Sequence, residues 1–512
     1  METITVQCVP TEDGIQIFAA TMWMDLLQRG VSDVLAIPQN SIDVVVRRMG
    51  GGYGIKITRP NFSAAACSLA AMDLGKPVRM VMTMEANMEV FGKRAEVYTT
   101  YEAGVDESGT IQYLKADLYE NVGSSTNDPN GDLALSGIKN CYDESKWSVM
   151  AKDVRTNTPS SAYMRGPGTN EGIASIEYIM EHIANIVKKD PTEVRTNNIP
   201  KDSPILVLFD AIKKSGDYDK RRISLNQFNK ANRWMKKGMS LIPMQFDMPY
   251  FGSFHAIVSI YGGDGTVTVS HGGIEGGQGI NTKVAQVCAY ILGVPLDLAT
   301  IQCCKILLER LAPVRAKLKN PTWQNLIMTA YTDGLDLVAS YMFSATDDGK
   351  PYIVYGVALC EVVIDILTGQ YLIVRVDLIE DAGKSLSPEI DIGQVEGAFI
   401  MGLGLWTFED IIFDPVTGQT LTNRTWNYYV PGPEDIPMDF RVELQKNVSN
   451  PLGQQVSLLF VMGAVVYFAL MDAINDARKE AGASDDWYAM NPPLTIEKIF
   501  LNSLTTSEQF LF

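Results

Sequence analysis

Apolar and polar positions alternate from Ser41 to Met49 (SIDVVVRRM), which is the period of a strand with one covered face. Gly50–Gly52 break that run. Pro60 then opens an Ala-rich stretch to about Leu74 that reads as a helix, because proline is tolerated in a first turn. Pro77–Thr83 (PVRMVMT) reads as a strand, and Val105–Tyr119 as a hairpin turning at Glu107-Ser108-Gly109. From Asn170 to Lys189 the period becomes helical, with Ile173, Ile176, Met180, Ile183 and Val187 on one face. Residues 200–240 are rich in Lys and Asp with weak periodicity, and read as an inter-domain connection. Beyond them, Phe254–Tyr261 and Thr266–His271 pair around Gly262–Gly265, and Ile280–Leu292 is a helix. Ile353–Ile366 and Gln370–Ile379 form a hairpin around Thr368-Gly369. Gln394–Met401 begins a helix, and Leu458–Lys479 forms the last long one. Strands and helices mix without strict alternation, which predicts an α+β fold. The boundaries expected are a first domain over 1–205, a connection over 206–240 and a second domain over 241–512.

The composition narrows the choice. The chain has 512 residues, too many for one compact core. Apolar residues make up 46% and charged residues 20%, with no low-complexity tract. A net charge of −17 repels phosphate backbones, so nucleic acid is not an expected partner. No basic start followed by an apolar core marks a signal peptide in residues 1–30. The longest apolar run, Leu458–Met471, is 14 residues, short for a bilayer and suited to a buried helix. Seven scattered cysteines, none in a CxxC pair, suit a reducing cytosol and provide no iron–sulfur spacing. Three histidines without metal spacing argue against a zinc enzyme.

Three glycine-rich turns carry the candidate chemistry. Met49–Arg59 (MGGGYGIKITR) is neither GxGxxG nor a P-loop; it permits close approach to a ligand, or simply makes a tight strand–helix turn. His271–Lys283 (HGGIEGGQGINTK) runs into a helix start, where free N–H groups attract anions and Lys283 lies one turn in. Ser160–Gly172 (SSAYMRGPGTNEG) sets Arg165 in a Gly/Pro turn, to bind an anion or to pair with a carboxylate. Glycine-lined sites with few acid or base residues suit a protein that leaves hard chemistry to a cofactor. A dinucleotide-binding dehydrogenase is disfavoured, because no loop has the required glycine spacing.

These turns, in this order, resemble the molybdenum hydroxylase family of aldehyde oxidases and xanthine dehydrogenases, especially animal aldehyde oxidases. METITVQCVPTEDG, GGGYGIK, PSSAYMRGPG, HGGIEGGQGINTKVAQV, GQVEGAF and LTNRTWNYYVPGPEDIP carry the likeness over nearly the whole chain. The resemblance implies a two-part molybdopterin-binding region. It also implies oxidation of aldehydes to carboxylic acids, with water as the oxygen source and a glutamate as base. FAD and two 2Fe-2S clusters would lie in preceding domains and not in this chain. Residue by residue, Tyr53, Gly54, Arg165, Gly277, Gln278, Lys283 and Gln394 match cofactor-binding positions, with Tyr53, Arg165 and Gln278 near the molybdenum. Ile57, Leu133 and Pro167 match the substrate pocket. The implied partners are a small aldehyde, the iron–sulfur and flavin domains and a second copy in a homodimer, in the cytoplasm and with no membrane.

Several positions depart from the family. Met22 stands where a glutamine is usual, and a thioether cannot donate a hydrogen bond. Gly276 replaces a bulkier residue. Ile57 and, by ungapped count, Leu133 replace the Glu and Arg that hold purines, so an aldehyde-type pocket is expected. After Ile301 a cofactor-cradling loop is missing, and no Gly-Glu-Pro turn lies between Gly453 and Leu458, so no catalytic base is identified. The alternative is therefore an inactive paralogue or truncated product that keeps the fold. The chain alone is expected not to oxidise aldehydes.

Overall fold

The computed structural model describes residues 2–248, 252–294, 301–344, 352–383, 385–445 and 459–509. Four sheets lie among them. In the first, Thr5–Thr11 is central, flanked by Gly14–Ala19 and Val78–Val81, with Ile42–Val45 at the edge. Alternate side chains Val6, Cys8, Ile15 and Ile17 point to one face, where helices Met24–Leu35 and Pro60–Leu74 cover them. The second sheet joins Val97–Val105, Ile111–Gly123 and Trp147–Arg155 beneath the helix Thr169–Val187. Ile173, Ile176, Met180 and Ile183 form that helix's buried face, as its period predicts. His182 is structural: its ring stacks on Trp487 and Nδ1 meets the Tyr101 hydroxyl at 2.6 Å.

The third sheet has the order Asp439–Leu444, Tyr371–Asp381, Tyr352–Asp365, Met235–Met248. Helices Pro388–Thr407 and Ala464–Glu480 cover it. The fourth sheet, Val267–His271, Phe254–Ile260 and Val338–Phe343, packs against Ile280–Leu292, Ile301–Lys317 and Trp323–Thr332. The fold is α+β, as expected.

Residues 206–240 are more than a connection. Ile205–Ser215 and Tyr218–Ala231 are helices, and Met235–Met248 begins the third sheet. Ile205, Leu208, Phe209 and Ile212 recur at helical spacing and share a core with Ile176, Leu241 and Val357. Asp210, Lys214, Asp219 and Lys220, which mask that pattern, face solvent. The expected strand over Ser41–Met49 is shorter, confined to Ile42–Val45. The last helix opens with the tighter turn Leu459–Gly463. The stretch Phe460–Glu480, 21 residues long, is apolar enough to cross a membrane by length and composition, longer than the run suggested. Its apolar part is buried in the protein, and the partly or fully exposed positions are Asp472, Asn475, Asp476, Arg478, Lys479 and Glu480.

Candidate functional site

The first glycine turn is held at both ends by one carboxylate. Glu2 Oε2 accepts from Gly50 N at 2.9 Å and from Lys56 Nζ at 3.0 Å, with Lys56 fully buried. Between those ends Tyr53 adopts a left-handed φ of 50°, and Gly54 follows at 90°. A Cβ on Gly54 would lie 2.8 Å from the Tyr163 carbonyl oxygen, so only glycine lets the first and third turns touch. Asp128 fastens the same junction. It accepts from Thr58 Oγ1 at 3.1 Å and Tyr163 N at 3.2 Å, and pairs with Arg59 at 3.4 Å.

Arg165 emerges from this junction. Its guanidinium lies 5.9 Å from the Tyr53 ring centre, and Nη1 stands 3.5 Å from Met401 Sδ on the Pro388–Thr407 helix. Burial lowers its pKa below the ordinary arginine value, with the Tyr53 hydroxyl opposing the shift. Arg94, which sequence patterns did not single out, positions the Arg165 backbone. Its Nη2 donates to the Arg165 carbonyl at 2.7 Å, its Nη1 pairs with Glu171 at 2.9 Å, and its guanidinium covers Phe460.

The second turn departs from expectation. Two of its helix-start N–H groups are already taken from within the loop. Glu275 accepts from Gly277 N at 3.0 Å, Gly279 N at 3.0 Å and Asn281 N at 3.2 Å. An internal carboxylate thus takes two donors of the helix start, Gly279 N and Asn281 N, and the Gly277 N–H that precedes them. The Gln278 side chain also closes on its own loop, accepting from Gly276 N at 2.7 Å and donating to Ile274 O at 2.8 Å. Lys283 pairs with Asp391 at 2.7 Å, and Gln394 Nε2 donates to the Gly277 carbonyl at 3.1 Å. Met49 N donates to the Glu275 carbonyl at 3.3 Å. The first turn therefore touches the second and third, and the Pro388–Thr407 helix touches the second through Gln394 and the third through Met401.

Ile57 lies one turn after Gly54, its N–H donating to the Gly54 carbonyl at 2.9 Å. Leu133 meets Gly168 beside Pro167: a Cβ on that glycine would lie 2.9 Å from the Leu133 Cβ. Met22 presses its thioether against Gly52, where a Cβ would collide with the sulfur. The missing Gly-Glu-Pro turn between Gly453 and Leu458 lies outside the described residues, as do residues 295–300 just before the lost cradle. Among the described residues no group of His, Cys, Asp or Glu could hold a metal by itself.

The residues present fit a flat carrier held by backbone. Gly277 has φ +105°, and nothing lies within 4 Å of where its Cβ would be; the same space is open at Gly272. Behind that open edge, Gln394 and the Lys283–Asp391 pair fix the loop. Open glycine edges backed by fixed side chains suit a cofactor held through backbone contacts.

Comparison with known proteins says which cofactor. Residues 1–199 match one profile described as a molybdopterin cofactor-binding domain, and residues 211–299 and 298–437 match a second. The chain is 32% identical to a xanthine dehydrogenase/oxidase of Gallus gallus, over 98% of this chain and 41% of that protein. It is 32% identical to a probable aldehyde oxidase 2 of Oryza sativa subsp. japonica (97% and 41%), and 31% identical to an indole-3-acetaldehyde oxidase of Arabidopsis thaliana (97% and 42%). In fold it superposes on quinoline 2-oxidoreductase from Pseudomonas putida 86, with a TM-score of 0.85 at 21% identity, covering 98% of this chain and 74% of that one. An aldehyde oxidoreductase from Desulfovibrio gigas gives a TM-score of 0.79 at 19% identity, covering 98% and 59%. The chain belongs to the molybdenum hydroxylase family and comprises its molybdopterin-binding domains. It spans 41% of the length of the first curated relatives it matches.

Proposed function

We propose that this chain is the molybdopterin-binding part of an aldehyde-oxidising molybdenum hydroxylase, working in a reducing cytoplasm as a homodimer. What supports the substrate class is residue type: Ile57, Leu133 and Pro167 stand at the positions matched to the substrate pocket, Ile57 one turn beyond Gly54 and Leu133 against Gly168. Those three side chains offer no charge to a purine and leave a small aldehyde to bind by apolar contact. Seven free, buried cysteines support the compartment.

When bound, the molybdenum cofactor supplies the redox chemistry. The chain's own residues hold and orient. Gly277 leaves its edge open, and Gln394 fixes the Gly277 carbonyl. Arg94 fixes the Arg165 carbonyl, which sets the Arg165 side chain over Tyr53.

A second reading, an inactive paralogue that retains the fold, is supported by Met22. Its thioether fills the space against Gly52 and offers no donor to a ligand. One assay separates the readings: the cofactor-loaded chain with a dye acceptor and either benzaldehyde or xanthine. Turnover of benzaldehyde alone supports the first. Cofactor retained without turnover above a no-enzyme blank supports the second. Turnover of xanthine refutes the assigned pocket.

A further inference from the structure

Three of the seven cysteines lie in the apolar core of the fourth sheet. On the Ile280–Leu292 helix the buried positions are Cys288, Ala289 and Leu292. On the Ile301–Lys317 helix Cys304, Leu307, Leu311 and Val314 recur at helical spacing and form a buried stripe, with Cys303 beside it. The two helices share one cluster with Val258, Ile260 and Ala339 of the sheet. Packing of apolar faces thus brings together two thiols that stand 16 positions apart in the chain.

The Cys304 S–H donates to Cys288 Sγ at 3.2 Å, and both residues are fully buried. Cys303 is directed elsewhere, its thiol donating to the Ala256 carbonyl at 3.5 Å. In the first sheet the thiols meet oxygen: Cys8 Sγ lies 3.2 Å from Ser68 Oγ, and Cys67 donates to the Val78 carbonyl at 3.3 Å. A disulfide needs its sulfurs about 2.0 Å apart, so Cys288 and Cys304 have only about 1 Å to close.

We propose that Cys288 and Cys304 form an oxidation site, a thiol pair that a hydroperoxide converts to a disulfide joining the two helices. One sulfur attacks a peroxide oxygen, the O–O bond breaks, and a sulfenic acid forms as the other peroxide oxygen leaves in water or an alcohol. The second sulfur then attacks the first, the S–O bond breaks and water leaves. The two thiols lose two electrons and two protons, and the peroxide takes up both. Because both sulfurs are buried, the first step waits on local opening of the helix pair. The adjacent second sulfur then favours the disulfide over further oxidation of the sulfenic acid.

The cross-link bears on the second glycine turn. The Ile280–Leu292 helix starts at Gly279 and carries Lys283, which pairs with Asp391 of the Pro388–Thr407 helix. Oxidation anchors that helix covalently to its neighbour, whereas the thiol form leaves the two held by packing.

The test uses the full chain, treated with graded hydrogen peroxide, alkylated after unfolding and mapped by peptide mass spectrometry. Cys288 and Cys304 should lose their reactivity together and appear in one cross-linked peptide that dithiothreitol separates. On oxidation Tm should rise by a few degrees and hydrogen exchange along Ile280–Leu292 should slow, and dithiothreitol should reverse both. Cys288→Ala should abolish the cross-link and both effects. Should that variant not fold, Cys304→Ala carries the same expectation. A cross-link through Cys303 overturns the proposal. So does a sulfinic acid at either position without a cross-link, or a sample in which the exposed Met438 is fully converted to its sulfoxide while both thiols still react.

Discussion

Glu380 is next to last in the strand Tyr371–Asp381, fully buried, and neither carboxylate oxygen has a hydrogen-bond partner among the described residues. Burial is the main cause that pushes its pKa up to about 8, with repulsion from Asp391 and Asp381 adding and Lys283 opposing. The folded state thus holds a proton that the unfolded chain, with the ordinary value of 4.5, releases earlier. Stability from this group is fully present below pH 4.5 and is lost as pH rises toward 8. Glu380→Gln fixes the neutral form and removes that loss. At roughly 1.36 kcal/mol per pKa unit, the variant's advantage should be below about 1 kcal/mol at pH 5 and about 4 kcal/mol at pH 8. Urea unfolding of both proteins, followed by tryptophan fluorescence at pH 5, 6.5 and 8, measures it. A constant difference across that range, or a variant less stable at pH 8, would refute the reasoning.

Arg195, fully buried, donates to Glu177 at 2.6 Å and Glu181 at 2.8 Å, so Arg195→Met should cost about 3–5 kcal/mol by stranding two carboxylates, read as a lower urea midpoint. Gly402 abuts the Phe460 carbonyl with no room for a methyl, so Gly402→Ala should destabilise by about 1–3 kcal/mol in thermal unfolding. Glu275→Ala frees three amides at the start of the Ile280–Leu292 helix; hydrogen exchange at Gly277, Gly279 and Asn281 should speed up, and unchanged exchange would show that the carboxylate does not cap.

Where local pattern and packing agree, the chain was readable. Pro60–Leu74 and Ile280–Leu292 lie where proline, glycine and helical period put them. The helices at 205–231 were hidden because their buried faces are short and charged residues fill the other positions. In the site, Arg165 stood out in its Gly/Pro turn, whereas Tyr53 and Gly54 were singled out only by the family resemblance. Arg94, Glu275 and Asp391 were not, for two reasons. Arg94 acts on a carbonyl 71 residues away and Asp391 on a lysine far upstream, contacts that no local period encodes. Glu275 was overlooked because free amides were assumed at a helix start, whereas a carboxylate two residues before Gly277 reaches back to them.

The central claim is that these loops hold a molybdenum-bearing pterin. The chain should be produced in a host that makes the cofactor, and then assayed for molybdenum by mass spectrometry and for pterin by fluorescence after oxidation. About one molybdenum and one pterin per chain are expected, falling severalfold in Gln394→Ala, which frees the Gly277 carbonyl. Protein that is folded by circular dichroism yet carries neither, under conditions that load a full-length relative, would contradict the account.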